Sequence, residues 1–198
     1  MCSLLTSRRA WSSTLRRGIR TGRSSTPCCI TAATLSRAST AKNDFAHQAL
    51  AEQLTDHTLR RTYECLVHGG FKEDSGTVSA PIGRHPTDRK KMAVVQRNGR
   101  EAVTHWEVIA RYGQYTHLRC RLETGRTHQI RVHMAYLNHP IVGDPVYCSG
   151  RAELGLTTQC LHAQALTFLH PRTGREVTVT CPLPDEFQDT LLKLQRMG

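Results

Sequence analysis

Apolar and polar residues follow two rhythms along this chain, and the points where the rhythm changes divide it into elements. NDFAHQALAEQLTDHT (43–58) predicts a helix, with Asn43 or Asp44 as its cap and Phe45, Ala49, Leu50 and Leu54 on one apolar stripe. TYECLVHG (62–69) has strand character, and a glycine-rich turn leads from it to a second short strand, GTVSAPI. GRHPTDRKKMAV (83–94) reads as a basic loop running into an edge strand. EAVTHWEVIARY (101–112) and YTHLRCRLE (115–123) are strands joined at Gly113-Gln114, a hairpin signal. THQIRVHMAYLN (127–138) predicts a helix with Ile130, Met134 and Leu137 on one face. LHAQALTFLH (161–170) and REVTVTCP (175–182) form another hairpin across Pro171 to Gly174. The closing PDEFQDTLLKLQRM is an amphipathic helix with acids at its start and Lys193 and Arg196 near its end, as the helix dipole favours. Strands outnumber helices and many neighbours are hairpin-linked. The expected fold class is α+β, a mainly antiparallel mixed sheet flanked by helices.

Composition narrows the partners. A chain of 198 residues can bury one hydrophobic core, and its net charge of +11 favours a polyanion. The charge is uneven: residues 1–40 hold seven arginines and no acid or lysine, so +11 less those seven leaves +4 for residues 41–198. That leader is rich in Ser and Thr and lacks apolar periodicity. It is compatible with a disordered basic arm, an organelle transit peptide, or sequence foreign to the fold. Residues 41–198 are expected to form the folded domain. The eight cysteines show no C-x-x-C spacing and nothing resembles a secretory signal, so reduced thiols in a cytoplasmic setting are expected. No run of about 18 apolar residues is present, so no membrane span is expected.

The densest chemistry lies in LETGRTHQIRVHMAYLNHPIVGDPVY (122–147). Gly125 lets the chain turn out of a strand, and Thr127 can cap the helix that follows. Arg126 and His128 then stand at a helix start, where free backbone N–H groups already favour an anion. Arg131 lies about one turn on, off the Ile130–Met134 face. A metal site is the weaker reading, because His128 and His133 are five apart and point to different faces. No metal is expected.

TGRTHQIRVHMAYLNHPIVGDPVY resembles the signature of the RluA-type family of RNA pseudouridine synthases, T-G-R-x-H-Q-I-R-x-H followed by H-P-I-x-G-D-x-x-Y. RRTYECLVHG (60–69), PIGRHPTDRKKMAV with GREAVTHW (81–106), and LHAQALTFLHP resemble the same family. The basic loop is most similar to the branch that modifies large-subunit ribosomal RNA. The resemblance covers about residues 41–198 and implies a pseudouridine synthase-like fold and the isomerisation of uridine to pseudouridine in RNA, a reaction that needs no metal and no organic cofactor. The protein is expected to be a monomer. It implies that Tyr63, in R-x-Y, packs against the target base and that Arg131 pairs with a catalytic aspartate. Arg126, His128 and the Arg84–Lys91 loop, with Lys90 and Lys91, would line the RNA-facing cleft. A base in structured RNA must be turned out to be worked on, and an aromatic face with a cationic rim can hold it. Gly143 and Asp144 are expected to make a structural turn.

The family's nucleophilic aspartate belongs to R-L-D-x-x-T-S-G, which this sequence does not contain. Upstream of Ala41-Lys42-Asn43 it reads ITAATLSRAST, with no acid before Asp44. Asp44, Asp56, Asp74 and Asp88 sit in helix-end and loop contexts and are poor substitutes. Residues 1–40 therefore read as a leader foreign to the fold, compatible with an out-of-frame translation. Pro27-Cys28-Cys29-Ile30-Thr31, slipped by one base, can be back-translated to Leu-Leu-His-His, similar to a family segment. The expectation is a fold incomplete on its N-terminal side with little or no turnover. The alternative is an RNA-binding remnant or a truncated gene product without function. The expected location is the cytoplasm, or an organelle if the leader is a transit peptide.

Overall fold

The computed structural model describes residues 44–148, 154–156 and 158–197, so the expectations for residues 1–40 fall outside it. The elements are α1 (Asp44–Thr55), β1 (Arg60–His68), β2 (Ser75–Ser79), β3 (Ile82–Arg84), β4 (Met92–Val94), β5 (Val103–Tyr112), β6 (Tyr115–Leu122), α2 (Gln129–Tyr136), β7 (Leu161–Leu169), β8 (Glu176–Thr180) and α3 (Asp185–Met197). Six strands form one sheet in the order β2-β5-β6-β1-β7-β8, and β3 and β4 form a separate hairpin. Every described ladder is antiparallel.

Both predicted hairpins form. β5 turns into β6 through Gly113, whose φ of 56° is the left-handed geometry that a tight connection requires. β7 pairs with β8 from Ala165↔Thr180 to Leu169↔Glu176. Gln164, on β7, is skipped where the β1–β7 register shifts between Thr62 and Tyr63, so the alternation along β1 itself is intact.

β1 lies inside the sheet and is covered on both faces, which explains an unbroken buried run from Tyr63 to Val67. Tyr63, Cys65 and Val67 point to one face and join Trp106, Leu118 and Cys120 under Ile130 and Met134 of α2. Leu66 points to the other face and packs with Val142, Leu156 and Cys160 against Phe187 and Leu194 of α3. A third cluster, Ile82, Ala102 and Val132 with Met92, Val94 and Tyr147, seats the β3–β4 hairpin on α2. Burying Glu64 in such a strand requires partners. His117 Nε2 lies 3.1 Å from one carboxylate oxygen and Arg119 Nη2 3.6 Å from the other. The hydrogen bond to His117 is the main reason the Glu64 carboxyl sits below its ordinary value.

The helix expected from residue 43 or 44 forms as α1, and its apolar stripe stays uncovered: no residue of the helix is buried, and Phe45 is 61% exposed. Its tie to the sheet is polar instead, since the Gln53 amide donates to Leu169 O at 2.8 Å and accepts Leu169 N–H at 2.7 Å. Thr127 does not cap α2. The cap position is His128, in left-handed geometry at φ 57°, without a side-chain cap bond.

Candidate active site

The turn from β6 into α2 is held by the Gln129 side chain. Its oxygen accepts Thr124 Oγ1–H at 2.8 Å and the Arg126 amide at 2.9 Å, while its nitrogen donates to Val103 O and Thr104 Oγ1. The Arg126 N–H is therefore consumed and is not available to an anion. Below it, His133 Nε2 faces Ala80 O at 3.0 Å, and a carbonyl can only accept, so Nε2 carries the proton. Nδ1 then accepts from Thr104 Oγ1 at 2.9 Å. Burial lowers the His133 pKa and keeps this neutral form in place. His133 is a packing group of the helix, engaged through both ring nitrogens.

Arg131 projects from the same helix and is 9% exposed. Its Nε and Nη2 each donate to an oxygen of Asp144 at 2.7 Å, a bidentate fork. Asp144 is 1% exposed and also accepts the amides of Val146 and Tyr147, so it closes the turn after Gly143 and anchors the arginine together. Burial alone would raise the Asp144 carboxyl; Arg131 and the two amides outweigh it and hold it below the usual carboxylate range. Arg131, expected to pair with a nucleophilic aspartate that the sequence does not contain, is instead forked onto the sealed Asp144. Among the described residues Nη1 of Arg131 has no partner.

Tyr147 ties these groups to the basic loop. Its ring lies under the Arg131 guanidinium, 4.9 Å from centroid to Cζ. Its hydroxyl accepts Met92 N–H at 2.9 Å and stands 3.0 Å from His128 Nδ1, to which it can donate. Burial, with Arg131 adding to it, lowers the His128 pKa, so the acceptor form is favoured. Burial also raises the Tyr147 pKa and keeps its proton on. Asp144 and Tyr147 both belong to the H-P-I-x-G-D-x-x-Y motif; spacing alone does not signal that the two fold back onto Arg131.

The basic residues expected to face RNA lie around this anchor. Arg84 and Lys90 are exposed on the β3–β4 hairpin and Lys91 is half-buried there. The loop is self-tied: His85 Nδ1 accepts the Asp88 amide at 3.1 Å and Asp88 accepts the Lys90 amide at 2.9 Å. Arg126 is partly exposed and its Nε donates to Glu101 O at 2.9 Å. Tyr63 sits in the core cluster beneath α2, 7% exposed. Arg131, His128 and the basic loop are thus physically connected, and Tyr63 shares their side of the sheet.

The family model for RNA pseudouridylate synthase matches residues 40–136, which span β1, the basic hairpin and α2. The chain belongs to the RluA-type family of RNA pseudouridine synthases. It is 47% identical over 158 residues to an uncharacterised RNA pseudouridine synthase of Bacillus subtilis, covering 80% of this chain and 52% of that protein. It is 46% identical over 162 residues to the ribosomal large subunit pseudouridine synthase D of Xanthomonas campestris, covering 76% of this chain and 48% of that one. The chain spans about half the length of the curated relatives it matches. Among solved structures, Human RNA Pseudouridylate Synthase Domain Containing 1 superposes with a TM-score of 0.61 at 25% identity, over 78% of this chain and 73% of that one. Pseudouridine synthases are isomerases. Among the described residues no cluster of three metal-ligating side chains occurs, and no helix is long and apolar enough to cross a membrane.

Proposed function

We propose that this chain carries the arginine and base-holding side of an RNA pseudouridine synthase site, with large-subunit ribosomal RNA as the substrate class. The observation that carries this reading is the fixing of Arg131. Asp144 and Tyr147 hold its guanidinium by Nε, Nη2 and the ring face, while Nη1 is left for a second anion. A buried, oriented guanidinium can keep a neighbouring carboxylate ionised, which is the task the isomerisation sets for it. The base lies against Tyr63, and Arg84, Lys90, Lys91, Arg126 and His128 face the RNA backbone. The substrate class is supported by the naming of the Xanthomonas relative and of similar relatives from Neisseria meningitidis and Nitrosomonas europaea.

Asp144 is not a candidate nucleophile, since both oxygens are committed and the carboxylate is sealed. With no acid before Asp44, the 198-residue polypeptide is expected to bind RNA and turn over little. It is expected to act as a cytoplasmic monomer without a metal. The test is incubation of the purified polypeptide with uridine-containing ribosomal RNA fragments, scoring pseudouridine and salt-dependent binding together. Salt-sensitive affinity without product is expected. Pseudouridine formed at rates comparable with a full-length relative overturns the low-turnover reading, and absence of RNA affinity overturns the RNA reading.

A further inference from the structure

Arg61 is a guanidinium in the sheet without a hydrogen-bond or ion-pair partner among the described residues. It lies on β1 two residues before Tyr63, so both side chains leave the same face, opposite Leu122 and Cys120 of β6. Its Nε is buried and makes no hydrogen bond, and none of its nitrogens bonds any described residue. The two terminal nitrogens are not sealed with it and rest against Gly125, where a Cβ would collide with them. Burial lowers the Arg61 pKa, and the Tyr63 phenol, close enough to act on it, works in the opposite direction. A desolvated cation with no counter-charge is costly to keep unless something arrives to pair with it. Among the described residues no carboxylate pairs with it.

We propose that Arg61 is a phosphodiester-binding residue: its guanidinium, seated on Gly125 beside Tyr63, receives the backbone phosphate flanking the nucleotide whose base meets Tyr63. This rests on the RNA reading above and adds the group that the β1 strand recognises. A planar fork with its terminal nitrogens outward suits a phosphate better than a lysine would. Gly125 of the T-G-R-x-H turn then has a second task beyond turning the chain, which is to leave room for that fork.

The experiment compares wild type, R61M and R61K for binding to a uridine-containing single-stranded RNA across a salt series, together with thermal melts of the free proteins. R61M is expected to bind roughly tenfold more weakly and to reduce the slope of log affinity against log salt by about 0.7, the share of a single phosphate. R61M is also expected to melt no lower than wild type, since it removes an unpaired buried charge; a merely structural arginine would lower it. R61K is expected to keep the slope and lose part of the affinity. Replacing single phosphates by neutral methylphosphonates should weaken wild type at one position and leave R61M unaffected there. Wild-type affinity with an unchanged slope in R61M overturns the Arg61 assignment alone. No affinity in wild type overturns it together with the RNA reading. Should R61M fail to fold, a methylphosphonate series on wild type that finds no sensitive phosphate overturns it.

Discussion

Replacing Asp144 by Asn tests whether the anchor under Arg131 is an ion pair that matters to folding or only a turn. Asparagine keeps the shape and can still accept the Val146 and Tyr147 amides. It removes the charge and turns an N–H₂ group toward a guanidinium that has only donors. The side chains of Arg131 and Asp144 are 10% and 0% exposed, so water cannot replace what is removed. Breaking a buried pair while leaving one charge behind costs about 3–5 kcal/mol. With a urea slope near ~2 kcal/mol/M, that moves the midpoint down by about 2 M at neutral pH. The double variant R131M/D144N, which leaves no buried charge and keeps an acceptor for the Val146 and Tyr147 amides, should recover much of the stability lost in D144N, because the penalty comes mainly from the charge left unpaired. The pH dependence has a definite sign. The Asp144 carboxyl is depressed in the folded state, so its stabilisation is complete above the unfolded value near ~3.9 and disappears as pH falls through the folded value below it. The gap between wild type and D144N should therefore be full at pH 7 and shrink in acid. A D144N midpoint within ~0.5 M of wild type, or a gap that widens as pH falls, would refute the reasoning.

Other side chains of the site and the sheet carry equally definite expectations. Gln129→Ala removes four hydrogen bonds at the β6–α2 turn and leaves Thr104 and Val103 O short of partners; a destabilisation of about 2–4 kcal/mol is expected by urea unfolding. Glu64→Ala leaves His117 and Arg119 without their shared acceptor inside the sheet and is expected to cost about 2–3 kcal/mol at pH 7, read by the same unfolding curves; because the Glu64 carboxyl is depressed, the cost fades as pH drops below about 4. Lys90→Ala with Arg84→Ala, both on the exposed hairpin, should leave the melting temperature within a degree or two. In a filter-binding salt series the pair should lower the slope of log RNA affinity by up to ~1.4, about 0.7 for each phosphate that is no longer neutralised.

The sheet was legible because each strand's own pattern was enough. β5 and β6 alternate around Gly113, and β7 and β8 around the Pro171–Gly174 turn, so the two hairpins were visible from local spacing. α1 was located but not its packing: the stripe Phe45, Ala49, Leu50 and Leu54 obeys helical period, yet a period records only which face is apolar and not whether a partner covers it. The same limit applied at α2. Thr127 has cap chemistry, but Gln129 reaches back across the turn and satisfies Thr124 and Arg126, an arrangement set by the strand-to-helix angle that no local rule contains.

The arginines and histidines of the T-G-R-x-H-Q-I-R-x-H stretch look alike in sequence, and what separates them is how much of their hydrogen-bonding capacity the fold consumes. His133 commits both nitrogens to Thr104 and Ala80 and has none left for a ligand. Arg131 commits two nitrogens to Asp144 and keeps one. Arg126 commits one to Glu101 O, and Arg61, outside the stretch, commits none among the described residues. An arginine that is oriented by most of its donors but retains one is suited to setting the charge of a neighbouring group at fixed distance. One that is seated yet unpaired is suited to taking up an incoming anion. The division predicts opposite signs in free-protein stability: removing the anchored Arg131 strands Asp144 and destabilises, whereas removing Arg61 relieves an uncompensated charge. That contrast is measurable without RNA, and it distinguishes a residue held for the fold's sake from one held for a ligand's.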